Sequence, residues 1–158
     1  MDPSGAVIRR FQEGDLDVLI GLAERLAIGI APWRSEAGMH AAARTWVETS
    51  VANIGPEGAV FVAEQDGKAV GFASVVREVA FTGEPQAYIG ELAVAAQTEG
   101  RGVGQALLAA VERWARQQGL GLLVLDTGAA NDRGRRFYTQ SGFVEESVRL
   151  TKVLGEHG

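Results

Sequence analysis

The stretch Val94-Ala95-Ala96-Gln97-Thr98-Glu99-Gly100-Arg101-Gly102-Val103-Gly104-Gln105-Ala106-Leu107-Leu108 decides how the rest of the chain is read. Upstream, Tyr88 to Val94 has the composition of a strand, and downstream Leu107, Val111 and Trp114 recur at helical spacing up to about Gly119. Glu99 to Gly104 therefore joins a strand to a helix. Glycines at such a join let the backbone approach a ligand closely, and first-turn N–H groups together with the helix dipole suit a pyrophosphate. A sharp strand-to-helix turn uses alternating glycines as well, so the loop alone leaves a binding role and a purely structural one open.

Working outward toward the C-terminus, Leu120 to Thr127 is a nearly all-apolar run, as expected for a central strand covered on both faces. A helix from about Asp132 to Ser141 follows, then two terminal strands, near Phe143 and over Val148 to Leu154. Toward the N-terminus, Ala59 to Glu64 and Ala69 to Val76 flank Asp66-Gly67, a pair that favours the positive backbone angles of a tight hairpin turn. Ala6 to Arg10 reads as a first strand. Two amphipathic helices come next, one carrying Leu16, Leu19, Ile20, Ala23 and Leu26, the other Met39, Ala43, Trp46 and Val47 behind a Ser35 cap. An apolar connection, Ile28-Gly29-Ile30-Ala31-Pro32-Trp33, joins them. The order β-α-α-β-β-β-α-β-α-β-β describes an α/β protein with a mixed sheet, and one domain over residues 1–158 is expected at this length.

Composition narrows the function classes. The chain has 46% hydrophobic residues and no cysteine, which removes thiol nucleophiles and Cys-ligated metals and fits a reducing cytoplasm. His40 and His157 are the two histidines, too few for a histidine-rich site, so no metal is expected. A net charge of -5 with dispersed arginines, apart from Arg133, Arg135 and Arg136, disfavours nucleic acid as a partner. The N-terminal segment lacks the apolar core of a secretion signal and no run of about 18 apolar residues occurs, so neither export by that route nor a membrane span is expected.

The quoted stretch resembles the acetyl-CoA-binding motif of the GCN5-related N-acetyltransferases, which has Arg or Gln, two residues, Gly, one residue, then Gly or Ala. About 27 residues after Gly104, Asn131-Asp132-Arg133-Gly134-Arg135-Arg136-Phe137-Tyr138-Thr139-Gln140-Ser141-Gly142-Phe143 is similar to a later segment of the same family, an Asn followed by Phe-Tyr and Gly-Phe. The resemblance covers nearly the whole chain. It implies a GNAT-like acyl-CoA N-acyltransferase fold with a splayed central sheet, and acetyl-CoA as co-substrate. Backbone groups of Leu92, Ala93 and Val94 would pair with the pantetheine arm. The loop Glu99, Gly100, Arg101, Gly102, Val103 and Gly104 would hold the pyrophosphate. Asn131 and Tyr138 would face the pantetheine and thioester, and Arg135 is one candidate partner for a coenzyme phosphate. Glu99 stands where the family has Arg or Gln, and a carboxylate there is expected to repel the ligand; Gln97 offers an alternative register.

Such a fold implies direct transfer, in which an amine attacks the thioester without a covalent enzyme intermediate. Tyr138 is the candidate acid for the departing thiolate. Glu91 is the candidate base or amine anchor. Strict strand alternation puts it on one face with Ile89 and Ala93, opposite Gly90, Leu92 and Val94. Trp33 either lines the acceptor site or packs elsewhere, and Trp46 and Trp114 are expected in the core. The acceptor is a small-molecule or peptide amine of unidentified kind, and a homodimer through the terminal strands is implied by the resemblance only. Two other classes compete. A dinucleotide-binding module is suggested by Asp126, 24 residues after Gly102, but the third glycine is missing and only 54 residues follow Gly104. A non-catalytic acyl-CoA-binding module is favoured by Glu99 and disfavoured by Asn131 and Tyr138.

Overall fold

The computed structural model describes residues 4–155. His157 lies outside the described residues. Strand β1 (Val7–Arg10) leads through a short 3-10 turn to α1 (Leu16–Leu22), which tightens into a 3-10 helix, Ala23–Ala27. Helix α2 (Glu36–Ala52) starts where the Ser35 hydroxyl accepts the Gly38 N–H at 2.9 Å, satisfying one of the unpaired first-turn donors. Strands β2 (Gly58–Gln65) and β3 (Lys68–Val79) turn at Asp66 and Gly67, whose φ values of 53° and 77° are those the pair predicts. Then come β4 (Pro85–Val94), α3 (Val103–Gln117), β5 (Leu123–Leu125) and α4 (Asp132–Gln140).

The five strands lie in the order β1-β2-β3-β4-β5, antiparallel except for the parallel β4–β5 pair that the α3 crossover permits. Two apolar layers sandwich this sheet. Leu107, Val111 and Trp114 of α3 pack on one face with Ala73, Val75, Ala87 and Ile89. Leu19 of α1 and Ala43 and Val47 of α2 pack on the other with Val60, Val62, Phe72 and Ala93. No helix among the described residues is long and apolar enough to cross a membrane.

Three expectations are corrected. The run Leu120 to Thr127 yields a strand of only three residues, half-buried and at the sheet edge, because β4 offers it pairing only at Ala87, Tyr88 and Ile89. The terminal strands near Phe143 and over Val148 to Leu154 are absent. Those residues pair with no strand, and Val144, Leu150 and Leu154 are 89%, 89% and 87% exposed. Strand propensity reflects fit to a neighbouring strand and burial of a face, so apolar alternation without a partner makes no strand. Trp46, expected in the core with Trp114, is 45% exposed, whereas Trp114 is buried.

Strict alternation along β4 also fails. Ile89 faces the α3 layer and Ala93 the α1/α2 layer, although four residues apart in one strand they should share a face. The cause is a bulge: Ser74 of β3 is opposite Glu91 while Val75 is opposite Ile89, which leaves Gly90 as an extra residue. One inserted residue flips every side chain beyond it. Glu91 therefore stands with Ala93 but opposite Ile89, and Leu92 and Val94 turn toward the α3 layer.

Candidate active site

Beyond Ile89, β4 and β5 part. The β4 edge that β5 would cover has no β5 partner from Gly90 to Val94, because β5 ends at Leu125. A cavity of about 560 Å³ opens at this wedge, lined by β4, the end of β5, α2, the 3-10 turn after α1, and Tyr138 of α4.

Glu91 is the most unusual residue in it. The bulge aims its side chain between the sheet and α2, where it is 4% exposed. The Ser50 hydroxyl of α2 donates to Oε1 at 2.7 Å, and the Glu91 N–H donates to the Ser74 hydroxyl at 2.9 Å. Burial raises the pKa of Glu91 above the ordinary carboxylate value, and the two serine hydroxyls oppose that shift without cancelling it. A carboxylate so placed can take a proton from a group that arrives charged.

Tyr138 lines the same cavity, gripped edge-on by Phe137 and Phe143 with centroids 5.2 and 5.5 Å away. Burial pushes its phenol up to about 12, so the hydroxyl keeps its proton at neutral pH. Asn131 caps α4, its Oδ1 accepting the Gly134 N–H at 3.1 Å, and its side chain is thereby fixed at the cavity rim. The backbone of Asn131 sits so close to Gly29 that a Cβ on Gly29 would lie 2.7 Å from the Asn131 nitrogen, so the connection after α1 bridges to the start of α4.

The glycine loop lies at the end of β4. Gly100 and Gly102 have φ of 77° and 86°, and Gly102 begins α3 with no side-chain cap. The first-turn N–H groups of α3 are thus left to an external acceptor, which fits a phosphate group. Gly104 fits a different need: a Cβ there would meet the Phe137 ring at 3.4 Å, so its bareness lets α4 approach α3. Arg101 is exposed and Val103 is buried in the α3 layer. Glu99 is not a solitary repelling charge. It forms ion pairs with Arg25, from the 3-10 turn after α1, and with Arg133 of α4.

Two sequence candidates lie away from this arrangement. Trp33 is exposed and is not among the cavity residues. Arg135 pairs with Glu145 at 2.5 Å and with the Ala129 carbonyl, leaving Arg133 as the α4 arginine beside the loop. Residues that the sequence did not assign to this site complete the cavity. Trp46 supplies its aromatic wall, with Met39, Ser50 and Asn53 on the same α2 stripe at intervals of seven, four and three. Asp126 accepts the Tyr88 hydroxyl at 2.7 Å, and burial is the main reason the Tyr88 phenol titrates well above its ordinary value. The helical spacing of the α2 stripe was the available signal, masked by the core stripe Ala43 and Val47 beside it.

The model of the acetyltransferase (GNAT) family matches residues 26–143. An aminoglycoside N(6')-acetyltransferase type 1 of Stenotrophomonas maltophilia is 39% identical over 99 residues, which are 60% of this chain and 64% of that protein, so the chain spans less than two thirds of that relative. Among solved structures, a GCN5-related N-acetyltransferase of Ralstonia eutropha JMP134 superposes with a TM-score of 0.72 at 21% identity, over 96% of this chain and 100% of that one. The aminoglycoside N-acetyltransferase AAC(6')-Iy, solved in complex with CoA, superposes with a TM-score of 0.66 at 24% identity, over 98% of this chain and 99% of that one.

Proposed function

The chain belongs to the acetyltransferase (GNAT) family, and from that premise we propose that it moves the acetyl group of acetyl-CoA directly onto a primary amine, acting as a single domain in the cytoplasm, with a small polycationic molecule such as an aminoglycoside as acceptor. The observation that carries this reading is the pairing of a buried carboxylate, Glu91, with a half-buried phenol, Tyr138, in one cavity at the unpaired edge of β4. Acetyl-CoA supplies an acetyl group already activated as a thioester. Its arm fits the free edge of β4 at Gly90 to Val94, where backbone groups are available as they would be to an added strand, and its diphosphate fits the uncapped start of α3.

Glu91 and Asp126 give the cavity two carboxylates against the one guanidinium of Arg25, and Trp46 gives it an aromatic face, a lining that favours a cation. Glu91 takes the proton that the amine must lose before its nitrogen can bond to carbon, and Tyr138 donates the proton that the sulfur gains as the carbon–sulfur bond breaks. The likeness to the Stenotrophomonas enzyme supports the acceptor class. Release of free thiol from acetyl-CoA in the presence of a panel of amines tests the reading. Aminoglycosides are expected to drive release and amino acids not, and silence across the whole panel would leave the non-catalytic coenzyme-binding reading standing. In the same preparations CoA is expected to raise the melting temperature while NAD does not; a ligand at a hundredfold excess over its Kd adds about 2.7 kcal/mol.

The chain is also proposed to pair with a second copy. β5 has an outer edge with no partner among the described residues, and Val144, Val148, Leu150 and Leu154 stand exposed after it, apolar residues that a strand added to an edge would cover. Light scattering on a size-exclusion column is expected to give a dimer, and Leu150→Asp a monomer. A monomeric wild type refutes the pairing.

A further inference from the structure

Glu99 follows β4 and Arg133 follows β5, so the two residues stand on opposite lips of the wedge between those strands. Glu99 Oε2 meets Arg133 Nη1 at 2.8 Å, tying one lip to the other, and Oε1 meets Arg25. One carboxylate thus serves two guanidinium groups, and the cluster keeps a net charge of one positive. Arg25 is further under-satisfied, since its Nε is buried without a hydrogen-bond partner. Arg133 reaches over the glycine loop, with Nη2 3.7 Å from where a Gly100 Cβ would be. Two cations clasp a single anion beside the N–H groups that begin α3.

We propose that Arg25 and Arg133 are ligands of the coenzyme diphosphate, and that Glu99 is the counterion that holds their place and is exchanged for it. The proposal rests on the acetyl-CoA reading. A diphosphate diester carries two negative charges, which two guanidinium groups match and Glu99 alone does not, and planar guanidinium forks bind carboxylate and phosphate oxygens with the same geometry. If Glu99 stayed bridged between the lips, it would stand as a like charge in the coenzyme's path. Released, it leaves the arginines fully charged next to the loop. Arg25 also lines the acceptor cavity, so the exchange repositions part of the wall against which the amine is held.

Calorimetric titration with CoA, dephospho-CoA and pantetheine separates the possibilities. Glu99→Gln removes the competing charge while keeping the side-chain shape. It is expected to bind CoA and dephospho-CoA about tenfold more tightly than wild type at low salt, to lose that gain in strong salt, and to bind pantetheine unchanged. Arg133→Gln is expected to lose about tenfold on both diphosphate ligands and nothing on pantetheine, and in the double variant the gain from Glu99→Gln should shrink. Glu99→Asp, which keeps the charge, should stay near wild type. Weaker or unchanged CoA binding by Glu99→Gln, or an equal gain on pantetheine, overturns the exchange while leaving the acetyl-CoA reading in place. A wild type that binds none of the three ligands overturns both. Should Glu99→Gln not fold, Arg133→Gln carries the test alone, and an unchanged affinity for CoA refutes the proposal.

Discussion

Tyr138→Phe is expected to lower turnover by about a hundredfold to ten-thousandfold, the range that general acid–base catalysis contributes. The substitution removes one hydroxyl and keeps the ring, so the edge-on contacts with Phe137 and Phe143 survive. Coenzyme affinity and melting temperature should therefore hold while kcat falls. Burial keeps the proposed acid in its protonated form. A phenol held up at about 12 stays protonated throughout the working range, and a thiolate forming beside it finds a donor without waiting for water. Steady-state kinetics with acetyl-CoA and an active acceptor measure the effect. A turnover equal to wild type would leave Tyr138 a packing residue and place the proton donor elsewhere.

Glu91→Gln is expected to produce opposite changes in activity and stability. Activity should fall by about a hundredfold where Glu91 is ionised and the amine is still protonated, near about pH 7, and the deficit should narrow at alkaline pH, where the amine arrives deprotonated. A loss of equal proportion at every pH would identify an amine anchor instead of a base. Stability follows from linkage. Burial raises the folded-state pKa of Glu91 above its unfolded value, so the folded chain holds this proton more tightly. That contribution to stability is fully present below the unfolded pKa and is lost as pH rises through the folded pKa. Above its folded-state pKa the wild type therefore carries the cost of a buried charge, which the neutral amide removes. The variant should melt higher than wild type at about pH 7, and the two should converge near about pH 4, where Glu91 is protonated. A melting temperature that drops at every pH would show that the Ser50 hydrogen bond outweighs the desolvation of the charge.

The unusual environment of Glu91 arises from Gly90. A glycine in a strand signals a bulge as readily as a close approach, and here the bulge both reverses the alternation and leaves room beside the two serines. A Cβ at Gly90 would stand 3.0 Å from the Ser74 hydroxyl that anchors the Glu91 backbone. The same inserted residue therefore moves Glu91 into the α1/α2 layer and lets Ser74 hold it.

What the sequence determined by itself was the set of features whose physics is local. The Asp66-Gly67 turn follows from backbone angles that these two residues tolerate, the α2 start from a serine beside unpaired N–H groups, and the α3 start from a glycine at positive φ. The stripe Leu107, Val111 and Trp114 needed only the helical period to be assigned to the core. Tertiary structure decided everything that depends on a partner distant in the chain. The side of the sheet that Glu91 occupies was set by the pairing of β4 with β3, and the absence of terminal strands by residues 143–154 docking on no strand among the described residues. The charge environment of Glu99 was set by two arginines, one 74 residues before it and one on α4. Local patterns fix which conformations a segment prefers at a cost of about 1 kcal/mol per residue or less, but ion pairs, burial and strand pairing exist only between segments, and their geometry forms when the chain closes on itself.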